Sequence, residues 1–178
     1  MPDNIFLIGP MGSGKTTLGR RLAAALDREF IDLDEELERR CGVEVAMIFE
    51  IEGEAGFRER EHALLAEVAE GRGRVVATGG GSVLREDNRK LLRAHGLVVW
   101  LDASVAQQIK RLERDRRRPL LATPDRRERL ERMAEQRNPI YAGLADVVFE
   151  SRNLPLPRMA KALEQTLKDH WAENDVHS

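Results

Sequence analysis

Residues 9–16 of the chain read Gly9-Pro10-Met11-Gly12-Ser13-Gly14-Lys15-Thr16 and match the pattern G-x-x-x-x-G-K-[ST]. The segment follows an apolar run from Ile5 to Ile8 and precedes a helical pattern from Thr17 to Leu26. A strand, a glycine-rich turn and a helix in this order can bind phosphate, because backbone N–H groups and a helix N-terminus then face the anion. The segment therefore predicts a nucleotide-binding α/β domain.

Within this loop the lysine and the hydroxyl residue have separate expected roles. Lys15 would bring a positive charge to the β- and γ-phosphates, and the Thr16 hydroxyl would be a ligand of Mg²⁺. Neither an N-K-x-D segment nor a D-x-x-G switch occurs in the sequence, which disfavours a guanine-nucleotide switch. We expect ATP to contact six consecutive residues, namely Gly12, Ser13, Gly14, Lys15, Thr16 and Thr17.

Short apolar runs alternate with longer segments of helical period, such as Leu18 to Leu26 and Leu84 to Leu92. This alternation predicts an α/β fold with a parallel sheet and helices on both of its faces. No repeat or linker divides the sequence, so we expect residues 1–178 to form one domain. The polar residues from Glu173 onward lack a period, which predicts a frayed tail. The apolar runs lie at Ile5 to Ile8, Phe30-Ile31, Val75 to Ala77, Leu97 to Leu101 and Val147 to Phe149.

Composition narrows the expected partners and compartment. The 178 residues include 29 basic and 31 acidic side chains, so there is no electrostatic case for a nucleic-acid or polybasic membrane partner. Cys41 is the single cysteine, which excludes an intrachain disulfide. No apolar run approaches the ~20 residues that a membrane helix needs. We expect a cytoplasmic monomer that binds small molecules.

Two carboxylates flank one apolar residue in Asp32-Leu33-Asp34, directly after the run Phe30-Ile31. Strand alternation would place both carboxylates on one side of the chain, about 6–7 Å apart. One could then face a metal ion and the other a substrate. Alternatively, or in addition, Asp34 could be the N-cap of a helix that begins at Glu35.

Three glycines in succession, Gly79, Gly80 and Gly81, follow the run that ends at Ala77. They would lie at the carboxyl end of a strand, where open α/β sheets bind ligands, although a flexible turn is the alternative. Two arginines could likewise be either functional or purely structural. Arg58, with Glu61 three residues later, could form only a surface ion pair. Arg137 could be no more than a positive charge that complements the dipole at a helix C-terminus.

Arginines are dense between Arg111 and Arg132, where Pro119 and Pro124 interrupt the pattern. We interpret the segment as a mobile excursion from the domain. Most charge runs are solvated faces, but an enzyme that transfers phosphoryl groups must stabilise their spreading negative charge. An arginine on a closing lid is a recurrent solution.

The segments G-P-M-G-S-G-K-T, D-L-D, G-F-R-E-R-E, T-G-G-G, R-R-P-L-L and R-N-P-I-Y, in that order, closely resemble the shikimate kinase family over residues 4–167. The resemblance implies a three-layer P-loop kinase fold with a five-stranded parallel sheet. It also implies a helical substrate-binding region at about residues 33–61 and a lid at about residues 111–125. The implied reaction transfers the γ-phosphoryl group of MgATP to the 3-hydroxyl of shikimate. A gluconate-type or nucleoside-monophosphate kinase, and a nucleotide-binding module without catalysis, are the alternatives.

The same resemblance implies roles for individual residues. Arg111 would pack against adenine, with the segment from Ser151 to Pro157 on the other side. Arg116 and Arg117 leave the assignment of Arg118 as the lid residue open by one position. Leu33 stands where the family usually has a small hydroxyl residue, which should not affect the chemistry if Leu33 points into the core. The implied catalytic residues are Asp34, Lys15 and Arg118; the shikimate ligands are Asp34, Arg58, Gly79, Gly80, Gly81 and Arg137; the further ATP contacts are Arg111 and Arg118; and the Mg²⁺ residues are Thr16 and Asp32.

Overall fold

A computed structural model describes residues 4–114 and 124–176 of the chain. Its strands form one parallel sheet of five strands in the order β2-β3-β1-β4-β5. The predicted α/β class and the five predicted strand positions are confirmed. The strands are β1 (Asn4–Ile8), β2 (Glu29–Asp32), β3 (Arg74–Ala77), β4 (Gly96–Asp102) and β5 (Val147–Glu150).

The burial of each strand explains its sequence. All five residues of β1 are buried, and the central residues of β4 are buried as well, because helices cover both faces of the sheet. At the edge of the sheet, β5 alternates buried and exposed residues. The other edge strand, β2, is partly exposed along its length. The apolar runs are therefore most continuous in the strands at the centre.

Helices form the two outer layers. On one face, Leu18 and Leu22 pack with Leu163 and Leu167 around the sheet. On the other face, a second cluster joins side chains of four helices to the sheet, among them Leu37, Leu65, Leu92 and Leu144. The helices are α1 (Lys15–Ala25), α2 (Leu33–Cys41), α3 (Val45–Ala69), α4 (Glu86–His95), α5 (Val105–Leu112), α6 (Arg126–Leu144) and α7 (Leu156–Val176), with a 3-10 turn at Ser82–Leu84. None of the helices that the structure describes is long and apolar enough to cross a membrane.

Two helices continue past residues expected to end them. Helix α6 runs through Pro139 to Leu144, where the buried Tyr141 and Leu144 anchor its last turns. The interpretation of Arg137 as a charge at a helix C-terminus is therefore wrong. Helix α7 reaches Val176, so the expectation of a frayed tail from Glu173 is also wrong; the Asn174 side chain donates a hydrogen bond to the carbonyl of His170 in this last turn.

A close contact between α1 and the sheet generates a stability prediction. A Cβ atom at Gly19 would lie 2.5 Å from Cε2 of Phe30 and 2.9 Å from Cδ1 of Leu7. We expect Gly19→Ala to lower the free energy of unfolding by about 1–3 kcal/mol, because overpacking outweighs the gain in helix propensity. Thermal and denaturant unfolding measure the change.

The matched control is Gly143→Ala in α6, where an added Cβ meets nothing within 4 Å. We expect this variant to be as stable as the parent or more stable by about 0.5–1 kcal/mol. If both variants were equally stable, the packing argument for Gly19 would be wrong.

Candidate active site

The phosphate-binding loop joins the end of β1 to the start of α1 through glycines with positive φ angles. Gly9 has φ 143°, and a Cβ there would lie 2.6 Å from the carbonyl oxygen of Leu101 in β4. Only glycine fits such a position. Gly14, at φ 95°, is the residue before Lys15, at which α1 begins. The free N–H groups of the first turn of α1 are thereby available to an anion in the loop.

Lys15 has polar partners within the loop, and Thr16 has one at the end of β2. The Lys15 ammonium donates to the carbonyl oxygens of Gly9 at 2.6 Å and Pro10 at 2.8 Å. The Thr16 hydroxyl donates to Oδ2 of Asp32 at 2.5 Å. The structure thus brings Thr16 and Asp32 together, and the Mg²⁺ role that the family resemblance implies for both stays a prediction.

The donor set at Thr16 and Asp32 fits Mg²⁺. A hydroxyl and a carboxylate are the hard oxygen ligands that this ion prefers, and Mg²⁺ usually keeps several waters and takes only one or two carboxylates. Among the residues that the structure describes, no group of three or more His, Cys, Asp or Glu side chains could hold a metal ion. The residues therefore suit an ion that is completed by water and phosphate oxygens.

The Asp32-Leu33-Asp34 segment differs from its predicted conformation. Helix α2 begins at Leu33, and Oδ1 of Asp32 accepts a hydrogen bond from the Glu35 N–H at 3.0 Å, so Asp32 is the N-cap. The hypothesis that Asp34 caps a helix from Glu35 is wrong, as is the strand alternation expected to align the two carboxylates. The favourable cap by Asp32 ends β2 two residues earlier than expected. Leu33 is fully buried, which confirms the expectation that its side chain points into the core.

Helix α5 contacts two successive peptides of the phosphate loop. The side chain of Gln108, which is 3% exposed, donates to the carbonyl of Met11 at 3.0 Å. Arg111 donates to the carbonyl of Gly12 at 2.8 Å and to Oγ of Ser151 at 2.5 Å. Burial lowers the pKa of the Arg111 guanidinium, which nevertheless keeps its charge. Arg111 and Ser151 are therefore in direct contact beside the phosphate loop, and the adenine contacts expected of this region stay a prediction.

The three consecutive glycines leave space that charged side chains from α2, α3 and α6 occupy. A Cβ at Gly79 would lie 2.7 Å from Oε2 of Glu61 and 3.3 Å from Oδ1 of Asp34. A Cβ at Gly80 would lie 3.4 Å from Nη1 of Arg137, and one at Gly81 would overlap the guanidinium of Arg58. The structure thus places Asp34, Arg58 and Arg137 around the triple-glycine loop (residues 79–81). Because charged side chains approach all three glycines closely, the loop is more than a flexible turn.

The Arg58–Glu61 pair is buried and is not the surface ion pair considered above. The Arg58 side chain is 15% exposed and that of Glu61 is fully buried, with Nη1 of Arg58 3.0 Å from Oε1 of Glu61. A buried ion pair is stable only when its remaining polar atoms also find partners. Glu61 Oε2 and the Nε atoms of Arg58 and Arg137 are buried without hydrogen-bond partners. Such groups indicate a place where a polar ligand completes the pairing.

Reasoning from sequence missed three residues of this region. Glu61 was visible in G-F-R-E-R-E, but only its burial reveals its role beside Arg58. Tyr141, the last residue of R-N-P-I-Y, donates to the carbonyl of Gly80 at 2.6 Å. Gln108 lies in no motif, and no sequence signal could have found it. Arg116, Arg117, Arg118 and most of the predicted lid at 111–125 lie outside the residues that the structure describes.

Comparison with known proteins shows the family of this chain. The shikimate kinase family model matches residues 11–168. The chain belongs to the shikimate kinase family. It is 57% identical to the shikimate kinase of Bordetella avium over 159 residues, which cover 89% of this chain and 76% of that protein. It is 46% identical to the shikimate kinase of Vibrio cholerae O395 over 167 residues, 94% of this chain and 96% of that protein.

Solved structures of the shikimate kinase family are similar in fold as well. The shikimate kinase of Acinetobacter baumannii, in complex with shikimate, has a TM-score of 0.89 and 40% sequence identity. The similarity covers 95% of this chain and 94% of that one. The five-stranded parallel sheet is thus that of a P-loop kinase, and family membership makes this chain an ATP-dependent kinase that uses Mg²⁺.

The contact between Gln108 and the phosphate loop predicts a selective loss of nucleotide affinity. In Gln108→Leu the Met11 carbonyl loses its donor, so the loop peptides that bind phosphate should be less well oriented. We expect the affinity for ATP and ADP to fall by about 5- to 20-fold, the effect of one lost buried hydrogen bond. Affinity for AMP, which has no β-phosphate, should change by less than about twofold. Calorimetric titration with the three nucleotides measures this pattern, and an equal loss for all three would contradict it.

Proposed function

We propose that this chain transfers the γ-phosphoryl group of MgATP to the 3-hydroxyl of shikimate, and that Arg58, Arg137 and Asp34 bind the acceptor. The observation that carries the proposal is a pair of partly buried arginines beside the triple-glycine loop, Arg58 and Arg137, each with a buried Nε atom that lacks a hydrogen-bond partner. Similarity to the A. baumannii enzyme, which was solved with shikimate, supports the same acceptor here.

Arg58 and Arg137 suit the carboxylate of a small acid. Guanidinium groups are planar, stay charged at every working pH and donate directed pairs of hydrogen bonds to carboxylates. Glu61 offsets the charge of Arg58, whereas no carboxylate within residues 4–114 and 124–176 forms an ion pair with Arg137. One substrate carboxylate between the two arginines would therefore supply the missing negative charge and acceptor atoms.

Asp34 suits the reacting end of the acceptor. Its Oδ1 lies beside Gly79, and the next residue, Gly80, lies close to both Arg137 and the backbone nitrogen of Met11 in the phosphate loop. An acid held by the arginines would present a ring hydroxyl to Asp34 close to the bound nucleotide. Asp34 accepts the hydroxyl proton or hydrogen bond while the 3-oxygen bonds to the γ-phosphorus. The bond from that phosphorus to the bridging oxygen breaks, and ADP leaves.

Lys15, Thr16 and Asp32 serve the nucleotide end. Phosphate oxygens would replace the carbonyls of Gly9 and Pro10 as acceptors for Lys15. The Thr16 hydroxyl and, through water, Asp32 would hold Mg²⁺, which when bound neutralises charge on the phosphates. The Gly12 to Thr17 segment and Arg111 complete the proposed ATP contacts.

Arg118 is the proposed cation on the transferring group. This assignment comes from the R-R-P-L-L segment and the family resemblance, since Arg118 lies outside the described residues. A lid at about 111–125 would also exclude water from the reaction. We further propose one domain that acts as a cytoplasmic monomer without a nucleic-acid or membrane partner. The single sheet, the net charge of −2 and the single cysteine support this proposal.

A coupled assay of ADP release tests the function over a panel of shikimate, gluconate and nucleoside monophosphates. We expect turnover with shikimate alone, and phosphorus NMR of the product should show a phosphate ester on the 3-oxygen. Turnover with another acceptor and none with shikimate would contradict the proposal. Nucleotide binding without turnover on any acceptor would favour the non-catalytic module.

We call the proposed binding of the substrate carboxylate between Arg58 and Arg137 the carboxylate clamp. It predicts that Arg137→Ala weakens shikimate binding and leaves ATP binding nearly unchanged. Loss of a charge-assisted hydrogen bond should reduce shikimate affinity by roughly 10- to 150-fold. The control is Arg60→Ala, because Arg60 is exposed and pairs with Glu52 on the same helix as Arg58. Calorimetric titration measures the affinities of both variants for shikimate and ATP. If Arg137→Ala binds shikimate as tightly as the parent does, the clamp hypothesis is wrong.

Arg58→Ala should weaken shikimate binding similarly but also destabilise the fold. It leaves the fully buried Glu61 without its cation, which typically costs about 3–5 kcal/mol. The double variant Arg58→Ala with Glu61→Gln removes the buried charge and should recover part of the lost stability. Its shikimate affinity should stay low, which separates ligand binding from stability.

Asp34→Asn should keep the fold and lose turnover. Asp32, and not Asp34, caps α2, so the substitution leaves the helix cap intact. A carboxamide cannot take the hydroxyl proton, and we expect kcat to fall by about 10²-fold or more. Glu35→Gln on the same helix is the control, because Glu35 is half-exposed and pairs only with Arg20 among the ion pairs of the described residues. If Asp34→Asn both melts and turns over like the parent, Asp34 has no catalytic role.

A further inference from the structure

Tyr141 connects the two halves of the proposed acceptor site. It lies on α6 four residues after Arg137, and residues at this spacing share one face of a helix. Its side chain is buried, at 1% exposure, and its ring packs against Trp100 of β4 with 5.6 Å between ring centroids. The hydroxyl crosses to the other wall and donates to the carbonyl of Gly80 at 2.6 Å.

The tyrosine hydroxyl also interacts with the arginine on its own helix. Burial raises the pKa of Tyr141 to about 12, an effect that the charge of Arg137 and a hydrogen bond between the two side chains partly oppose. The phenol therefore stays neutral and keeps its proton, which it donates to Gly80. The hydroxyl that donates to the Gly80 carbonyl thus also lies close to the positive charge of Arg137.

The Gly80 carbonyl determines the direction of a second polar group. The peptide bond is planar and trans, so the carbonyl of Gly80 and the N–H of Gly81 point in opposite directions. By holding this carbonyl, Tyr141 turns the Gly81 N–H away from α6. A Cβ atom at Gly80 would lie 3.4 Å from Nη1 of Arg137 and 3.5 Å from the backbone nitrogen of Met11, so Gly80 lies close to both Arg137 and the phosphate loop.

We propose that Tyr141 is a positioning residue for phosphoryl transfer, which holds the Gly80–Gly81 peptide and the Arg137 guanidinium at a fixed separation so that the acceptor aligns with the γ-phosphate. Tyr141 does not touch the reacting atoms; it acts through Gly80 and Arg137. This inference rests on the proposed function, because it concerns the same acceptor site. The phenol prevents rotation of the Gly80–Gly81 peptide, which no side chain restricts.

Tyr141→Phe tests the proposal, since it keeps the ring against Trp100 and removes only the hydroxyl. We expect the KM for shikimate to rise by about 5- to 30-fold and kcat to fall by about 10-fold, with the KM for ATP changed by less than about twofold. Thr166→Val is the matched control, because the Thr166 hydroxyl donates to the carbonyl of Ala162 in α7. The control should keep all three kinetic constants. Thermal melts of both variants confirm that assays are run on folded protein.

A double-variant cycle separates positioning from general stability. If Tyr141 acts through Arg137, adding Tyr141→Phe to Arg137→Ala should cause a smaller loss of kcat/KM for shikimate than Tyr141→Phe causes alone. The proposal would be overturned if Tyr141→Phe lowered kcat/KM equally for shikimate and ATP, or if it left the kinetic constants unchanged. It would also be overturned if the effects of Tyr141→Phe and Arg137→Ala on kcat/KM for shikimate were fully additive. The parent is assayed alongside: if the parent itself does not phosphorylate shikimate, the proposed function fails, whereas a normal parent with an unaffected Tyr141→Phe refutes only this inference.

Discussion

Three positions without side chains, residues 79–81, are the constraint on which the acceptor site depends. The space next to Gly79 holds carboxylate oxygens of Glu61 and Asp34, and the space next to Gly81 holds the guanidinium of Arg58. A methyl group at either glycine would displace a charged group that is largely buried. The loop is therefore a surface against which ionic side chains from separate helices are placed, and the arrangement costs desolvation energy that a polar ligand can offset.

The order of the strands brings this loop to the nucleotide. Strand β3 lies between β2 and β1, so the triple-glycine loop leaves the sheet between Asp32 at the end of β2 and the phosphate loop after β1. The carboxyl ends of parallel strands share one edge, where ligands of open α/β sheets bind. On the far side of β1, β4 leads to α5, whose Gln108 and Arg111 contact the phosphate loop. Acceptor and nucleotide contacts thus converge on the phosphate loop from opposite sides.

Sequence patterns predicted the sheet and most of the candidate site because both depend on local signals. Apolar runs marked all five strands, and the glycines of residues 9–16 and 79–81 marked the backbone that must approach other groups closely. Helix ends were harder to predict. The cap by Asp32 and the passage of α6 through Pro139 depend on local hydrogen bonds and on buried anchors such as Tyr141. Burial of Glu61 and the contacts of Gln108 and Tyr141 join residues from distant parts of the chain, and no single-sequence pattern reports such contacts.

The most direct test of the carboxylate clamp compares shikimate with its methyl ester, which keeps the ring hydroxyls and loses the charge. Arg58 and Arg137 are predicted to recognise that charge, so the parent should prefer shikimate in kcat/KM by about 10²-fold. Removal of Arg137 should reduce this preference by about 10-fold, because Arg58 alone then recognises the charge that distinguishes the two acceptors. A preference in Arg137→Ala as large as that of the parent would contradict the account, since the substrate carboxylate would then be bound elsewhere.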